Sequence, residues 1–568
     1  MTMVVARPLP ARRGNQRGAL VAVAHTRLMM GMLLFAAAVA LVIGRLALLA
    51  AFGGAEARAT VATLAARSDI VDRNGHPLAR TIDAWTIAVH PRQIMGDKSE
   101  LAGRLAALMP DRGDQTWFHA QLTKDVAFTY LQRRAAPALV EQVNALGEPA
   151  LVFARETQRL YPQSTMAAHA LGFLSADGHG MSGMERVLDA QLLDPKARGV
   201  PVQLSLDTRV QAAMESELGR AMGAYQAKAA SGLVLDVHTG ELLAMVSLPV
   251  FNPNRVGMAG TEQLRNVNTQ SVYELGSALK PIAIAAAIDY GVVTSMSRRF
   301  NAAQPLKVGR FTIKDDHAQN RWLNIPETLI HSSNIATARI ADEIGAARMQ
   351  AWFRKLGFDK KPEIELIEKG RTLWPTFWAR TTTMTTAYGH GMAVTPLHLA
   401  NAYATLVNGG IARPATLLKK PAGPVPGTRV MSEATSARLR QLLRLIVLEG
   451  TGRKAEAPGY RVGGKTGTAE VATGGGYAKN ANVSTFAAAF PMDAPRFVVI
   501  AMMDSPKRVE ANQFQTTAAY TAAPVVSRVI SRTGAILGVL PDERREVDLA
   551  DLRPMIWRAP GEVGAHGE

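Results

Sequence analysis

GYRVGGKTGTAE, Gly459 to Glu470, decides how this chain is read. Its first eight residues fit G-x-x-x-x-G-K-[ST], the loop that cradles phosphates between a strand and a helix. The same lysine opens Lys465-Thr466-Gly467-Thr468. On a strand, that cation and its two hydroxyls can hold a carboxylate, and the glycine between them lets another backbone approach closely. The two readings need different neighbours. A phosphate loop feeds a helix, but here a Pro-Gly turn precedes the lysine and TGTAEVATGGGYAKN follows it. That reads as a strand over Val462–Val471 and then a glycine-rich turn.

The compartment weighs the same way. From Leu28, LMMGMLLFAAAVALVIG runs uncharged for 17 residues, then Arg45, then LALLAAF to Phe52. This reaches the lower limit for a spanning helix, and snorkelling by Arg45 lengthens it. It is too long for the apolar stretch of a cleaved signal, and no clean small-x-small site follows. A membrane span over residues 27–52 is expected. The tail before it carries Arg7, Arg12, Arg13 and Arg17 and no acid. The positive-inside rule then keeps residues 1–26 in the cytoplasm and exports everything after Phe52, away from nucleotide triphosphates.

Bulk properties set wider bounds. The 568 residues allow three or four domain-sized units or two larger ones, and 48% hydrophobic with 20% charged residues is an ordinary globular balance. With no cysteine there is no disulfide, no thiol catalysis and no Cys-ligated zinc. The net charge of +17 is what an arginine-rich proteome leaves, and it also suits anionic lipid head groups or cell-wall polymer. Nucleic acid is not expected as a partner: there is no zinc-finger spacing, basic zipper or aromatic single-strand platform.

Along the chain, RSDIVDRNGHPLA (67–79) reads as strand, Asn-Gly turn, strand. GHGMSGMERVLDAQL (178–192) reads as a loop feeding a helix. After residue 205 a helix capped near Asp207 begins, which marks a domain boundary. SGLVLDVHTGELLAMVSLP is a hairpin about Thr239-Gly240, and VSTFAAAFPMDAPRFVVIAMMD is a second pair of apolar strands. Two strands early, three late and helical patterns between them predict one sheet covered by helices, its strands split in sequence. Residues after about 546 are polar and predicted to form a loose tail. Two further patterns carry chemistry. Ser277 and Lys280, three apart at the start of a helical run, share a helix face, so an amine reaches a hydroxyl. Alone, S-x-x-K arises roughly once by chance in a chain of this length. Ser332-Ser333-Asn334 opens another helical run and is, alone, an ordinary N-cap.

Order and spacing change that. S-x-x-K, then S-x-N 55 residues on, then K-T-G 133 further, resembles the penicillin-binding transpeptidases. RSDIVDRNG, RLYPQSTMAAHALGF (159–173), DGHGMSGMERVLDAQL, FNPNRVGMAGTEQLRNVNTQSVYELGS and GHGMAVTPLHLANAYATLVNGG resemble further motifs of that family, from about residue 60 to 535. Without a glycosyltransferase region, the chain is similar to the class B, monofunctional branch. The short link from FNPN to Ser277 resembles the division-specific (FtsI-type) enzymes more than the elongation type.

The resemblance implies an α/β (α+β) fold of the penicillin-binding transpeptidase and serine β-lactamase kind: an antiparallel sheet covered by helices over 206–545, with a mixed α/β pedestal of the dimerisation type over 56–205 and a C-terminal tail over 546–568. It implies a serine D-Ala-D-Ala transpeptidase without cofactor or metal, in which Ser277 is the nucleophile and Lys280 the base. Ser332 relays a proton, Asn334 orients the donor peptide, and Lys465, Thr466, Gly467 and Thr468 serve the proton network and the terminal carboxylate. Implied partners are peptidoglycan stem pentapeptides, β-lactams, the inner membrane and a glycan polymerase of the shape, elongation, division and sporulation (SEDS) family. The family's E-P-G-S-T-x-K is here Glu274-Leu275-Gly276-Ser277-Ala278-Leu279-Lys280, which puts helix entry and β-lactam affinity in question. Other readings are a β-lactamase, a division scaffold or β-lactam sensor, and a nucleotide-binding loop.

Overall fold

In the computed structural model, residues 16–57, 67–197, 199–473 and 476–558 are described. The basic residues Arg7, Arg12 and Arg13 lie outside them, as do 559–568. Contacts divide the chain into two units, residues 1–65 with 84–156, and residues 66–83 with 157–568.

The first unit holds α1 (Gln16–Ala57), within which His25–Arg45 is long and apolar enough to cross a membrane. Its other part is a small α/β body. The strand half Trp85–Val89 pairs antiparallel with Thr129–Ala135. Helices Lys98–Leu108 and Gln115–Leu122, each capped by an aspartate, close over Ile87, Leu105, Phe118 and Leu131.

In the second unit, three motifs that lie far apart in sequence meet at Glu185, which is fully buried. Arg67 reaches its Oε2 at 3.0 Å and Arg159 its Oε1 at 2.7 Å, while Arg67 also bonds Asp189 at 2.6 Å. One carboxylate between two guanidiniums satisfies charges that would be costly to bury alone. Asn254 of FNPN then clasps Tyr161, accepting from its N–H and donating to its C=O, both at 3.0 Å.

α2 (Thr208–Ala224), capped by Asp207, leads into the sheet. Its strands are β1 (Ala229–Asp236), β2 (Leu242–Leu248), β3 (Gly463–Thr473), β4 (Gly476–Phe490) and β5 (Phe497–Asp504). The order is β3-β4-β5-β1-β2, all antiparallel, so the early pair joins the late three as the hairpin spacing predicts. Successive side chains enter opposite cores: Val498 and Ile500 one, Phe497, Val499 and Ala501 the other. Burial on both faces explains strands that are apolar throughout. α2 and α8 (Ala522–Thr533) cover one face. α3 (Lys280–Asp289), α6 (Pro396–Val407) and α7 (Glu433–Glu449) cover the other.

The C-terminal segment differs from the expected loose tail. Leu549 and Leu552 are buried, and Asn324 donates to the Met555 carbonyl at 2.6 Å. The Trp557 backbone N–H donates to Glu327 of α4 (Ile325–Ile330) at 2.9 Å, and the Arg321 guanidinium lies 5.0 Å over the Trp557 ring. Two leucines, spaced i and i+3, supply apolar surface that its polar composition hides.

Candidate active site

Ser277 lies in the 3₁₀ turn Gly276–Leu279, which runs directly into α3 at Lys280. The tighter turn stacks positions i and i+3, so Ser277 and Lys280 share a side more closely than in an α-helix. Pro281 sits at the helix start, where its missing N–H has no partner to lose. Lys280 is fully buried. Burial pushes its amine down to about 7, opposed by the carboxylates of Asp315 and Asp316. Its Nζ donates to the Ser332 carbonyl and, at 3.1 Å, to the Ser332 hydroxyl.

The two serines of Ser332-Ser333-Asn334 divide their work. Ser333 caps α5 (Asn334–Ile344): its hydroxyl accepts from Ala336 N–H at 3.0 Å and donates to Asp315 at 2.7 Å. The ordinary capping role is therefore filled one residue later. That leaves Ser332 to turn its side chain toward Lys280, with a left-handed φ of 57°. Asn334 lines the cleft and donates to the Lys314 carbonyl at 3.0 Å, while Asp315 accepts Ile335 N–H at 2.9 Å. Lys314 and Asp315 are thereby clamped onto the motif, and Asp316 follows them in the chain. Sequence reasoning missed them; the available signal was an adjacent pair of acids about one helix length before the serines.

Lys465-Thr466-Gly467-Thr468 lies on β3 in register with Ala487, Phe486, Thr485 and Ser484 of β4. A strand hairpin follows the lysine where a phosphate loop requires a helix, so the stretch lacks that loop's context. Alternation along the strand puts Thr466, Thr468 and Glu470 on one side, and all three line the cleft. Lys465 is fully buried; its Nζ donates to Thr466 Oγ1 at 2.9 Å and to the Thr466 carbonyl at 3.1 Å. Burial, then the charge of nearby Lys280, holds its amine well below the usual lysine range, with Asp316 opposing. Two ammonium ions so placed repel, so this pair loses a proton readily. Thr451, also unmarked by sequence, bonds Thr466 Oγ1 at 2.9 Å.

Gly467 does not line the cleft. It makes room for the Ser277 turn: a Cβ there would stand 2.3 Å from the Leu275 carbonyl and 2.9 Å from the Ala278 Cβ. Gly276, at φ 52°, brings its own backbone against Thr468, where a Cβ would be 2.5 Å from the carbonyl oxygen. The unusual Leu275 and Ala278 are both buried in this contact, and Tyr403 fixes the Ala278 carbonyl with a 2.8 Å hydrogen bond. The turn therefore forms without the family's proline and threonine.

The cleft has a volume of about 1100 Å³. Ser277, Ser332, Asn334, Thr466 and Thr468 open onto it, and the two lysines lie buried beneath. His331, Tyr388, His390, Lys454 and Tyr520 extend its walls. A hydroxyl beside a buried, readily deprotonated amine, with hydroxyls and backbone N–H groups around it, suits acyl transfer.

Comparison with known proteins agrees with this chemistry. Residues 230–531 match the penicillin binding protein transpeptidase domain, and residues 62–194 the penicillin-binding protein dimerisation domain. The chain is 39% identical over 511 residues to a probable peptidoglycan D,D-transpeptidase FtsI of Caulobacter vibrioides, covering 88% of this chain and 85% of that one. It is 29% identical over 509 residues to the peptidoglycan D,D-transpeptidase FtsI of Escherichia coli K12, covering 84% of each. Penicillin binding protein 3 of Mycobacterium tuberculosis, solved with aztreonam, superposes with a TM-score of 0.67 at 26% identity, covering 84% of this chain and 98% of that one. Motifs, sheet order and these likenesses converge: the chain belongs to the penicillin-binding protein transpeptidases and is a class B peptidoglycan D,D-transpeptidase of the FtsI type.

Proposed function

We propose that the chain cross-links stem peptides in septal peptidoglycan through an acyl-enzyme at Ser277. One observation carries the proposal: Lys280 is buried, poised to be neutral near pH 7, and bonded to Ser332 at the mouth where Ser277 opens. Lys280 takes the Ser277 proton as Oγ attacks the carbonyl of the penultimate D-Ala. Ser332 passes that proton to the departing terminal D-Ala. Backbone N–H groups of Ser277 and Thr468, held together by the Gly276 contact, stabilise the oxyanion. Asn334 orients the donor, Thr466 and Thr468 hold its terminal carboxylate, and Lys465 supports the proton network. An amine from a second stem then attacks the ester, so one difficult acyl transfer becomes two easier ones.

α1 supports a single-pass anchor with the N-terminus in the cytoplasm and the catalytic unit outside. The pedestal, taken as 56–205, and the span, taken as 27–52, are the surfaces offered to a SEDS glycan polymerase and other division proteins. Incubation of the extracytoplasmic part with a penicillin and intact-mass analysis tests the acyl-enzyme. A stable single adduct on Ser277 supports it, rapid adduct decay favours a β-lactamase, and no adduct on folded protein moves a scaffold role to the front.

A further inference from the structure

The cleft carries its charge unevenly. Two acids line it, Asp316 and Glu470. Asp315, beside the first, is fully engaged with Ser333 and Ile335 at 2.7 and 2.9 Å. Asp316 is exposed, accepts no hydrogen bond and joins no ion pair among the described residues. Its loop is nevertheless fixed, because Lys314 and Asp315 on its N-terminal side are bonded to Asn334, Ser333 and Ile335. Its charge also reaches both buried lysines. Cations line another segment: Lys454 lies 3.7 Å over the Tyr520 ring and bonds Gln513 at 3.1 Å, and Arg453 bonds the Glu449 carbonyl at 3.3 Å, neither paired with a carboxylate among the described residues.

A transpeptidase receives two peptides of opposite reacting ends. The donor ends in a carboxylate, and the acceptor presents a primary amine that is an ammonium ion in neutral water. We infer that Asp316 binds the acceptor ammonium and aims it at the acyl-Ser277 ester, an acceptor subsite separate from the carboxylate-holding strand β3. The inference rests on the acyl-enzyme reading above. The acceptor R–NH₃⁺, held by Asp316, releases one proton to solvent. R–NH₂ attacks the ester carbonyl, and the C–N bond forms. The second proton leaves nitrogen for neutral Lys280 and passes to Ser277 Oγ as the C–O bond breaks, giving an amide and the free serine. A neutral Lys280 is required twice: to take this proton, and to leave the approaching cation unrepelled.

The test uses the full chain in detergent, an N-acyl-D-alanyl thioester as donor and D-alaninamide as acceptor amine. Thioester acylation, hydrolysis and aminolysis are followed separately for wild type, Asp316→Asn, Asp316→Glu and Glu470→Gln. Loss of a charge-assisted contact raises the KM for the amine roughly tenfold in Asp316→Asn and lowers the aminolysis-to-hydrolysis ratio by a similar factor. Asp316→Glu restores the ratio in part, and Glu470→Gln keeps it. If acylation and aminolysis fall together in Asp316→Asn, Asp316 acts only through Lys280 and the inference is overturned. An unchanged amine KM overturns it as well. A wild-type chain that forms no acyl-enzyme at all overturns the underlying acyl-enzyme reading instead.

Discussion

The Lys280 amine and the Ser332 hydroxyl lie 3.1 Å apart although 52 residues separate them in the chain. The contact exists because Ser333 takes the capping duty of α5 and Ser332 adopts a left-handed backbone. If this pair moves the Ser277 proton, Lys280→Met lowers the second-order rate of penicillin acylation by roughly 10²–10⁴. Ser332→Ala gives a smaller loss. Stopped-flow labelling with a fluorescent penicillin measures both, and wild-type rates in Lys280→Met would exclude it as the base.

Penicillin acylation should depend on pH through the same amine. Lys280 sits near 7, far below an ordinary lysine, because its charged form is desolvated. Only the neutral amine accepts the serine proton. The rate therefore climbs about tenfold per pH unit below that value and levels off above it. Since Lys465 is close enough to act on Lys280, the observed midpoint belongs to the pair. A profile flat from pH 5.5 to 9 would contradict this.

Gly467→Ala puts a methyl group 2.3 Å from the Leu275 carbonyl, where backbone must move. Overpacking of this kind costs about 1–3 kcal/mol and pushes the Ser277 turn away from β3. The expected outcome is a lower melting temperature together with an acylation rate reduced at least tenfold. Retained acylation at reduced stability would show that the turn tolerates the shift.

The C-terminal segment makes a prediction that its composition alone does not. Leu552 is fully buried, so Leu552→Ala should cost about 2–5 kcal/mol. Trp557 bonds the helix Ile325–Ile330 and Met555 bonds its N-cap Asn324, and the next two residues after that helix are His331 and Ser332. Truncation after Asp548 should therefore destabilise the chain and slow acylation, both measurable on one preparation. Unchanged melting would return the segment to the loose tail its composition suggests.

Acid should destabilise the fold through two buried histidines. Burial holds His169 and His398 down to about 4, against 6.5 for an ordinary imidazole. Between those values the unfolded chain binds more protons than the folded one, so stability is complete above 6.5 and falls as pH drops toward 4. Each histidine contributes at most about 3 kcal/mol over that window. Melting temperatures from pH 7 to 4 read the loss, and His398→Gln should flatten part of it.

Residue order alone carried the domain class, the strand pairs and the three short motifs, because periodicity and turn chemistry are local properties. Val498 and Val499 look alike in sequence, yet they enter different cores, and only a sheet buried on both faces explains a strand that is apolar throughout. Sequence named Ser332 and Ser333 together. That Ser333 caps α5 while Ser332 faces Lys280 depends on one left-handed backbone angle. It read Gly467 as room for the close approach of another backbone, and only the fold shows that backbone to be the Ser277 turn. It passed over Asp315, Asp316 and Thr451, which have no motif of their own and matter through what they face. A lysine's tendency to be neutral comes from burial, and burial is a property of the packed chain. Local spacing thus fixed which groups are present, and tertiary packing fixed their protonation, their partners and the cleft they share.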